Sequence, residues 1–134
     1  MKLVGVLVGI SAALLLAQPV GAAQPVATST ITLNEPSPVT YGDTVTFTTE
    51  VGVKSGKGTV VYIEVACYQN GRGVYVDTGW VNDIWLLVST PATGFTWDGG
   101  AASCTATLTS YTRSGKNVSI QSLATTSFDV IAAP

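Results

Sequence analysis

Hydrophobic and polar residues alternate along most of this chain, and the alternating runs are separated by turn residues. Residues 44–51 place Val45 and Phe47 on one face and threonines on the other, which is the period-two pattern of a strand with one buried side. Residues 59–68 are apolar on both faces, which is typical of a strand at the centre of a sheet. The pattern therefore predicts strands as the main secondary structure.

The turns between these runs predict how the strands connect. Asn70-Gly71 accepts the positive φ angles of a tight hairpin turn, so the strands on either side of it are predicted to pair. The final run, 118–131, changes its alternation at residues 122–124, which predicts a β-bulge. No amphipathic helical repeat follows the first 23 residues, so the pattern predicts seven to nine antiparallel strands in a sandwich or small barrel.

The first 23 residues have the pattern of a signal peptide. Lys2 precedes an almost uninterrupted apolar stretch at residues 3–17, and small residues then offer a cleavage site after Ala22 or Ala23. A retained membrane anchor is the alternative, but the apolar stretch is shorter than the roughly 20 residues that span a bilayer. The sequence therefore predicts an exported protein with no membrane span after cleavage.

Export determines how the two cysteines, Cys67 and Cys104, are interpreted. An oxidising compartment favours a disulfide between them, which would stabilise a small domain by about 4 kcal/mol in the chain-entropy estimate. Two free buried thiols are the alternative. A polar tether is predicted at residues 24–30, and the 134-residue chain then leaves room for one domain at residues 31–134.

Composition argues against several classes of function. Charged residues make up only 10% of the chain, and removal of Lys2 with the leader leaves five basic against eight acidic residues. The basic residues are scattered over predicted turns, which argues against a nucleic-acid partner. Histidine is absent, so the usual general base and the commonest metal ligand are missing. We expect no metal, no cofactor and no enzymatic activity.

Two serine–lysine pairs are the remaining candidates for catalysis. Ser55 lies near Lys57, and Ser114 lies near Lys116. Both pairs fall in glycine-containing turns, where serine and lysine are expected simply as solvated residues. The acidic residues mostly lie beside turns or on predicted solvent faces, so paired carboxylates are not favoured either.

Two segments resemble a known family. The run PVTYGDTVTFTTEV at 38–51 resembles the first hairpin of bacterial and phage immunoglobulin-like (Big-type) repeats, and ATTSFDV at 124–130 is similar to their final strand. The resemblance implies an antiparallel immunoglobulin-like β-sandwich in a secreted or cell-surface protein. With Cys67 on strand C and Cys104 on strand F, the disulfide would join neighbouring strands of one sheet.

The aromatic residues are the candidate ligand-binding residues, namely Tyr75, Trp80, Trp97 and Tyr111. Exposed rings in a row are how many β-sandwich modules stack on sugars, whereas large rings also fill sandwich cores. Trp85 is predicted to be a core residue, and both alternatives stay open for Trp80 and Trp97. Two hypotheses follow: a module for adhesion or interaction with a protein or glycan at a cell or virion surface, or a small carbohydrate-binding module.

Overall fold

The computed structural model describes residues 28–53 and 56–134, and most of these residues lie in strands. The predicted signal peptide and most of the predicted tether lie outside the described residues. Apart from one 3₁₀ turn at Pro91–Thr93, the described part contains no helix, so the all-β prediction is confirmed. The strands are β1 Thr30–Leu33, β2 Val39–Thr40, β3 Thr44–Val45, β4 Phe47–Glu50, β5 Thr59–Gln69, β6 Arg72–Trp80, β7 Trp85–Leu86, β8 Ala102–Ser114 and β9 Asn117–Ile131.

The largest sheet has five strands in the order β2-β9-β8-β5-β6. All its neighbours are antiparallel except β2 and β9, which are parallel, with Val39 opposite Val130. The expectation of a purely antiparallel fold is therefore wrong at this edge. Pro36 and Pro38 interrupt strand pairing after β1 because proline has no backbone N–H, and the chain continues as β2 beside the last strand.

The single strand predicted at residues 44–51 is split into β3 and β4. Thr46 lies between them, and its backbone N–H donates to Glu35 Oε2 at 2.8 Å while its hydroxyl donates to Glu35 Oε1 at 2.8 Å. Because this N–H is bonded to a carboxylate, pairing changes at Thr46: β3 pairs with β7, whereas β4 pairs with β1. Both pairs are antiparallel.

One continuous core joins the two small pairs to one face of the five-stranded sheet. The Phe47 ring on β4 packs edge-on against Trp85 on β7, with centroids 5.3 Å apart, and lies 6.1 Å from Phe128 on β9. Trp85 is buried, as the sequence indicated. The largest fully buried side chains are Trp85, Tyr75, Ile63, Leu87, Leu108, Val45, Val65, Val74 and Val130.

The predicted hairpin and the predicted bulge are both present. Asn70 and Gly71 have φ angles of 51° and 80° and join β5 to β6. In the β8–β9 pair, Leu108 lies opposite Ala124, but the next residue, Thr109, lies opposite Ser122. Leu123 of β9 therefore has no partner in β8. This extra residue brings the side chains of β9 back into phase with the two faces of the sheet, so β9 continues in the same sheet.

A disulfide joins Cys67 on β5 to Cys104 on β8, as predicted. The two residues lie directly opposite each other in neighbouring strands of one sheet, with Cα atoms 4.0 Å apart, and both are buried. Such a bond fits an oxidising environment. Nowhere in residues 28–53 and 56–134 is there a helix with the length and apolar character of a membrane span.

Candidate binding face

The five-stranded sheet has an inner face that contributes to the core and an outer face that is directed away from it. Side chains alternate between these faces, so the residues of β5 that lie between the core positions point outward. Strand pairing then determines which outward side chains become neighbours. Tyr62 lies opposite Trp80 of β6, and Val60 lies opposite Tyr111 of β8.

These outward residues form a cluster that we call the outer patch, which consists of Val60, Tyr62, Trp80, Tyr111 and Ile120. Tyr111 lies opposite Ile120 of β9, so the patch crosses four neighbouring strands. Side chains on directly opposite residues are in contact distance, since their Cβ atoms lie about 5 Å apart. Trp80 is 60% exposed and Ile120 is 64% exposed. Large apolar side chains are therefore exposed side by side on this face.

An open groove of about 460 Å³ adjoins Trp80 in this patch. Thr78 and Asp83 provide its polar lining. The turn after β6 fixes the geometry here, because Asp83 Oδ2 accepts a hydrogen bond from the Trp80 backbone N–H at 2.7 Å. A Cβ atom on Gly79 would lie 2.7 Å from Asp83 Oδ2 and 3.1 Å from the Trp85 ring. Glycine at position 79 therefore allows this turn to fold back beside Trp80.

The rest of the outer face is mainly polar. On β8 and β9 the outward positions beyond the patch hold small hydroxyl side chains, and the opposite pairs there include Thr107 with Thr125 and Thr105 with Ser127. Threonine is common on strands and its hydroxyl stays solvated. The cluster of exposed apolar side chains thus lies at the end of the sheet that carries Trp80 and Tyr111, whereas Tyr68 is a separate exposed ring at the other end.

Two of the four predicted ligand-binding residues lie in the core instead. Trp97 is 4% exposed, donates its indole N–H to the Gly100 carbonyl at 2.8 Å, and packs edge-on against Tyr41 with centroids 4.9 Å apart. Tyr75 is also buried; burial raises the pKa of its hydroxyl, and the nearby charge of Asp77 raises it further. Neither ring is free to stack on a ligand in this conformation.

The other two predicted residues, Trp80 and Tyr111, lie on the outer patch. Val60 and Tyr62 were not among the predicted ligand-binding residues, because the apolar character of both faces of residues 59–68 predicted a central strand and did not show which face is exposed. Ile120 was missed as well, since a single isoleucine among serines carries no signal of its own. The Asn70-Gly71 hairpin could have identified Tyr62. Residues at equal distances before and after that turn pair with each other, and this pairing places Tyr62 near Trp80.

The patch offers chemistry for binding rather than for reaction. Its side chains are aromatic or aliphatic apart from the two tyrosine hydroxyls, and the carboxylate that lines the adjoining groove, Asp83, accepts a backbone hydrogen bond. Lys116 and Ser114 lie exposed at the β8–β9 hairpin, whereas Ser55 lies outside the described residues. The described residues contain no group of three or more acidic or cysteine side chains that could hold a metal ion.

Aspartate 98 forms a separate polar site at the opposite end of β5. Its Oδ1 accepts hydrogen bonds from Gln69 Nε2 at 3.0 Å and from the Gly100 backbone N–H at 2.8 Å. The bond from Gln69, followed by the one from Gly100, lowers the pKa of this exposed carboxyl. The same Gln69 amide donates to the Ala101 carbonyl, so this group connects the end of β5 to the loop before β8.

Comparison of the chain with protein-family models, with curated proteins and with solved structures finds no match. The outer patch is therefore the feature from which a function can be inferred.

Proposed function

We propose that this chain is an exported, non-enzymatic immunoglobulin-like module that binds a protein on a cell or virion surface through its outer patch. The strand order supports the immunoglobulin-like part of the proposal. In this proposal, strands β5, β6, β8 and β9 would be C, C′, F and G of such a sandwich, and the two separate pairs, β1-β4 and β3-β7, would together take the place of its second sheet. The disulfide supports export, since such bonds persist in oxidising compartments.

The composition of the outer patch favours a protein partner. Aromatic residues combined with aliphatic ones and few charges characterise the buried centre of protein interfaces. Trp80 is the most exposed aromatic ring of the patch, and tryptophan is enriched among the residues that dominate binding energy. Because Val60 and Ile120 flank the rings, much of the surface can be covered only by another apolar surface. The exposure of Trp80 beside Tyr62 is the single observation on which this proposal depends most.

A carbohydrate-binding module is the second candidate, and the groove beside Trp80 favours it. Thr78 and Asp83 lie next to the exposed indole, and a sugar bound on an aromatic ring needs such polar groups for its hydroxyls. The two candidates share Trp80 but differ in the chemistry of the target. Treatment of the target cells with a protease or with periodate before binding can therefore distinguish a protein partner from a glycan partner.

The test measures binding of the fluorescently labelled, oxidised chain to surfaces of the source organism's cells or of its hosts' cells. We expect Trp80→Ala to weaken binding by about 2 kcal/mol, which is roughly 30-fold, as for a typical interface hot spot. Tyr68→Ala is the matched control, since Tyr68 is an exposed aromatic residue at the far end of the same face. Its affinity should stay within about twofold of the native value.

Pretreatment of the cells identifies the partner. Protease treatment should abolish binding if the partner is a protein, whereas periodate oxidation should abolish it if the partner is a glycan. Equal loss of binding in the Trp80 and Tyr68 variants would contradict a site at the outer patch. Binding that survives protease and fails after periodate would replace the first candidate by the second.

A further inference from the structure

The β8–β9 hairpin extends beyond the core and leaves one side of β9 open. Every residue from 113 to 122 is exposed. On the side away from β8, β2 is the only described strand that pairs with β9, and it does so at Val130 and Ile131. Strand β1 also packs close to β9 but does not pair with it. The first part of β9, from Asn117 to Ser122, therefore has no described pairing partner on that side.

The open side of this segment presents backbone hydrogen-bonding groups. The Arg113 backbone N–H donates to the Gly58 carbonyl at 2.8 Å, so Arg113 directs its backbone groups toward β5 and away from β9. Val118 lies opposite Arg113 and forms the non-hydrogen-bonded type of antiparallel pair, which directs its N–H and C=O away from β8. The same direction recurs every second residue, at Ile120 and Ser122.

The side chains of this edge do not oppose pairing with another strand. Natural sheet edges are usually blocked by charges, prolines or bulges. Between Lys116 and Asp129, β9 contains no charged residue and no proline, and its only bulge, at Leu123, comes after the open segment. Val118 and Ile120 are 51% and 64% exposed. The segment is a regular, uncharged strand with half of its backbone hydrogen bonds available.

We propose that a second copy of this chain pairs with β9 along residues 118–122, antiparallel and with the two-fold axis at Ile120. Val118 of one copy then lies opposite Ser122 of the other, and Ile120 lies opposite its own equivalent. Each of these pairs has its backbone groups directed at the partner, so the ladder forms without rearrangement of either copy.

A second copy fits this edge better than an arbitrary extended segment for two reasons. First, the two-fold axis places outward side chains beside outward side chains, so Ile120 packs on Ile120 and the two outer patches become continuous. Second, no like charges meet, because each Lys116 lies four residues from the axis and the two are separated by about 27 Å at 3.4 Å per residue. The bulge at Leu123 limits the pairing to the same five residues, 118–122, in both copies.

The pairing uses the backbone edge of β9 and leaves Trp80 exposed on the outer face, and Ile120 is the one residue that it shares with the outer patch. A dimer would present two outer patches side by side on one surface. If the chain binds its partner but does not dimerise, the dimer proposal fails. If it dimerises but does not bind a partner, the proposed function fails.

Sedimentation equilibrium of the oxidised chain over a wide concentration range tests the dimer. We expect Ile120→Pro to weaken dimerisation at least tenfold, because it removes an N–H directed at the second copy and none directed at β8. Ile120→Lys should act in the same way by placing two ammonium groups at the axis. Thr125→Lys is the control, since Thr125 lies on the same face of β9 beyond the bulge; it should dimerise like the native chain.

A cysteine substitution tests the register directly. Opposite residues of a hydrogen-bonded antiparallel pair have Cα atoms about 5.5 Å apart, within disulfide range, so Ile120→Cys should form a covalent dimer on oxidation and Thr125→Cys should not. A chain that is monomeric at all concentrations would overturn the proposal. So would a dimer that persists in both Ile120 variants, or one that crosslinks through residue 125 in preference to residue 120.

Discussion

Removal of the disulfide is the sharpest test of how this domain is stabilised. The double variant Cys67→Ala/Cys104→Ala deletes a bond between residues separated by 37 positions, which corresponds to about 4 kcal/mol of loop-closure entropy in the unfolded chain. Domains of this size have net stabilities of about 5–15 kcal/mol, so the loss is a large fraction of the total. The melting temperature should fall by roughly 15–30 °C, since 1 kcal/mol corresponds to about 4–8 °C.

Urea denaturation measures the free energy of unfolding. It is carried out in parallel on the native oxidised chain, the native reduced chain and the double variant. The reduced chain isolates the crosslink, whereas the double variant adds the loss of two buried sulfur atoms from the core. We expect reduction alone to account for most of the change. A loss below about 1 kcal/mol in both samples would refute the loop-entropy reasoning, because the unfolded chain would then gain little freedom without the bond.

Two further substitutions test individual contacts. Gly58→Ala should destabilise the domain by roughly 1–3 kcal/mol in urea denaturation, because φ is +84° and the added Cβ would lie 2.5 Å from the Arg113 carbonyl oxygen. Gly115→Ala is the control, since Gly115 also has a positive φ but open space around it, and it should cost about 1 kcal/mol. Equal losses in the two variants would contradict the steric explanation. Asp98→Asn should make stability less sensitive to acid. Because the folded-state pKa of Asp98 is lowered, the carboxylate stabilises the fold above its ordinary pKa of about 4 and loses this effect as the pH falls below that value. An unchanged pH profile of the urea midpoint would exclude the contribution of Gln69 to this carboxylate.

The parts of the fold that were predictable from the sequence depend on local signals. The Asn70-Gly71 turn determines its own backbone conformation, and the bulge in β9 follows from a change in alternation within one strand. The pairing of Cys67 with Cys104 required only two cysteines and an oxidising compartment. In each case the information lies within a few residues or in the composition.

The parts that were missed depend on contacts between distant residues. Thr46 interrupts its strand because the carboxylate of Glu35, eleven residues earlier, takes its N–H. Trp97 is buried because Tyr41 packs against it from another loop. Nothing in the residues around Trp97 distinguishes it from Trp80, which remains exposed, so a pattern-based interpretation could not separate core from surface for these two rings.

The parallel pairing of β2 with β9 has a consequence for how the chain reaches its native state. Val39 and Val130 meet although 91 positions separate them, so the five-stranded sheet is complete only when both ends of the domain have come together. Contacts of such long sequence separation are associated with slow folding, because chain entropy is lost before they form. Chains truncated before residue 130 should keep the central hairpins but leave β2 without a partner, and a nascent chain would acquire its final stability only after its last segment emerged.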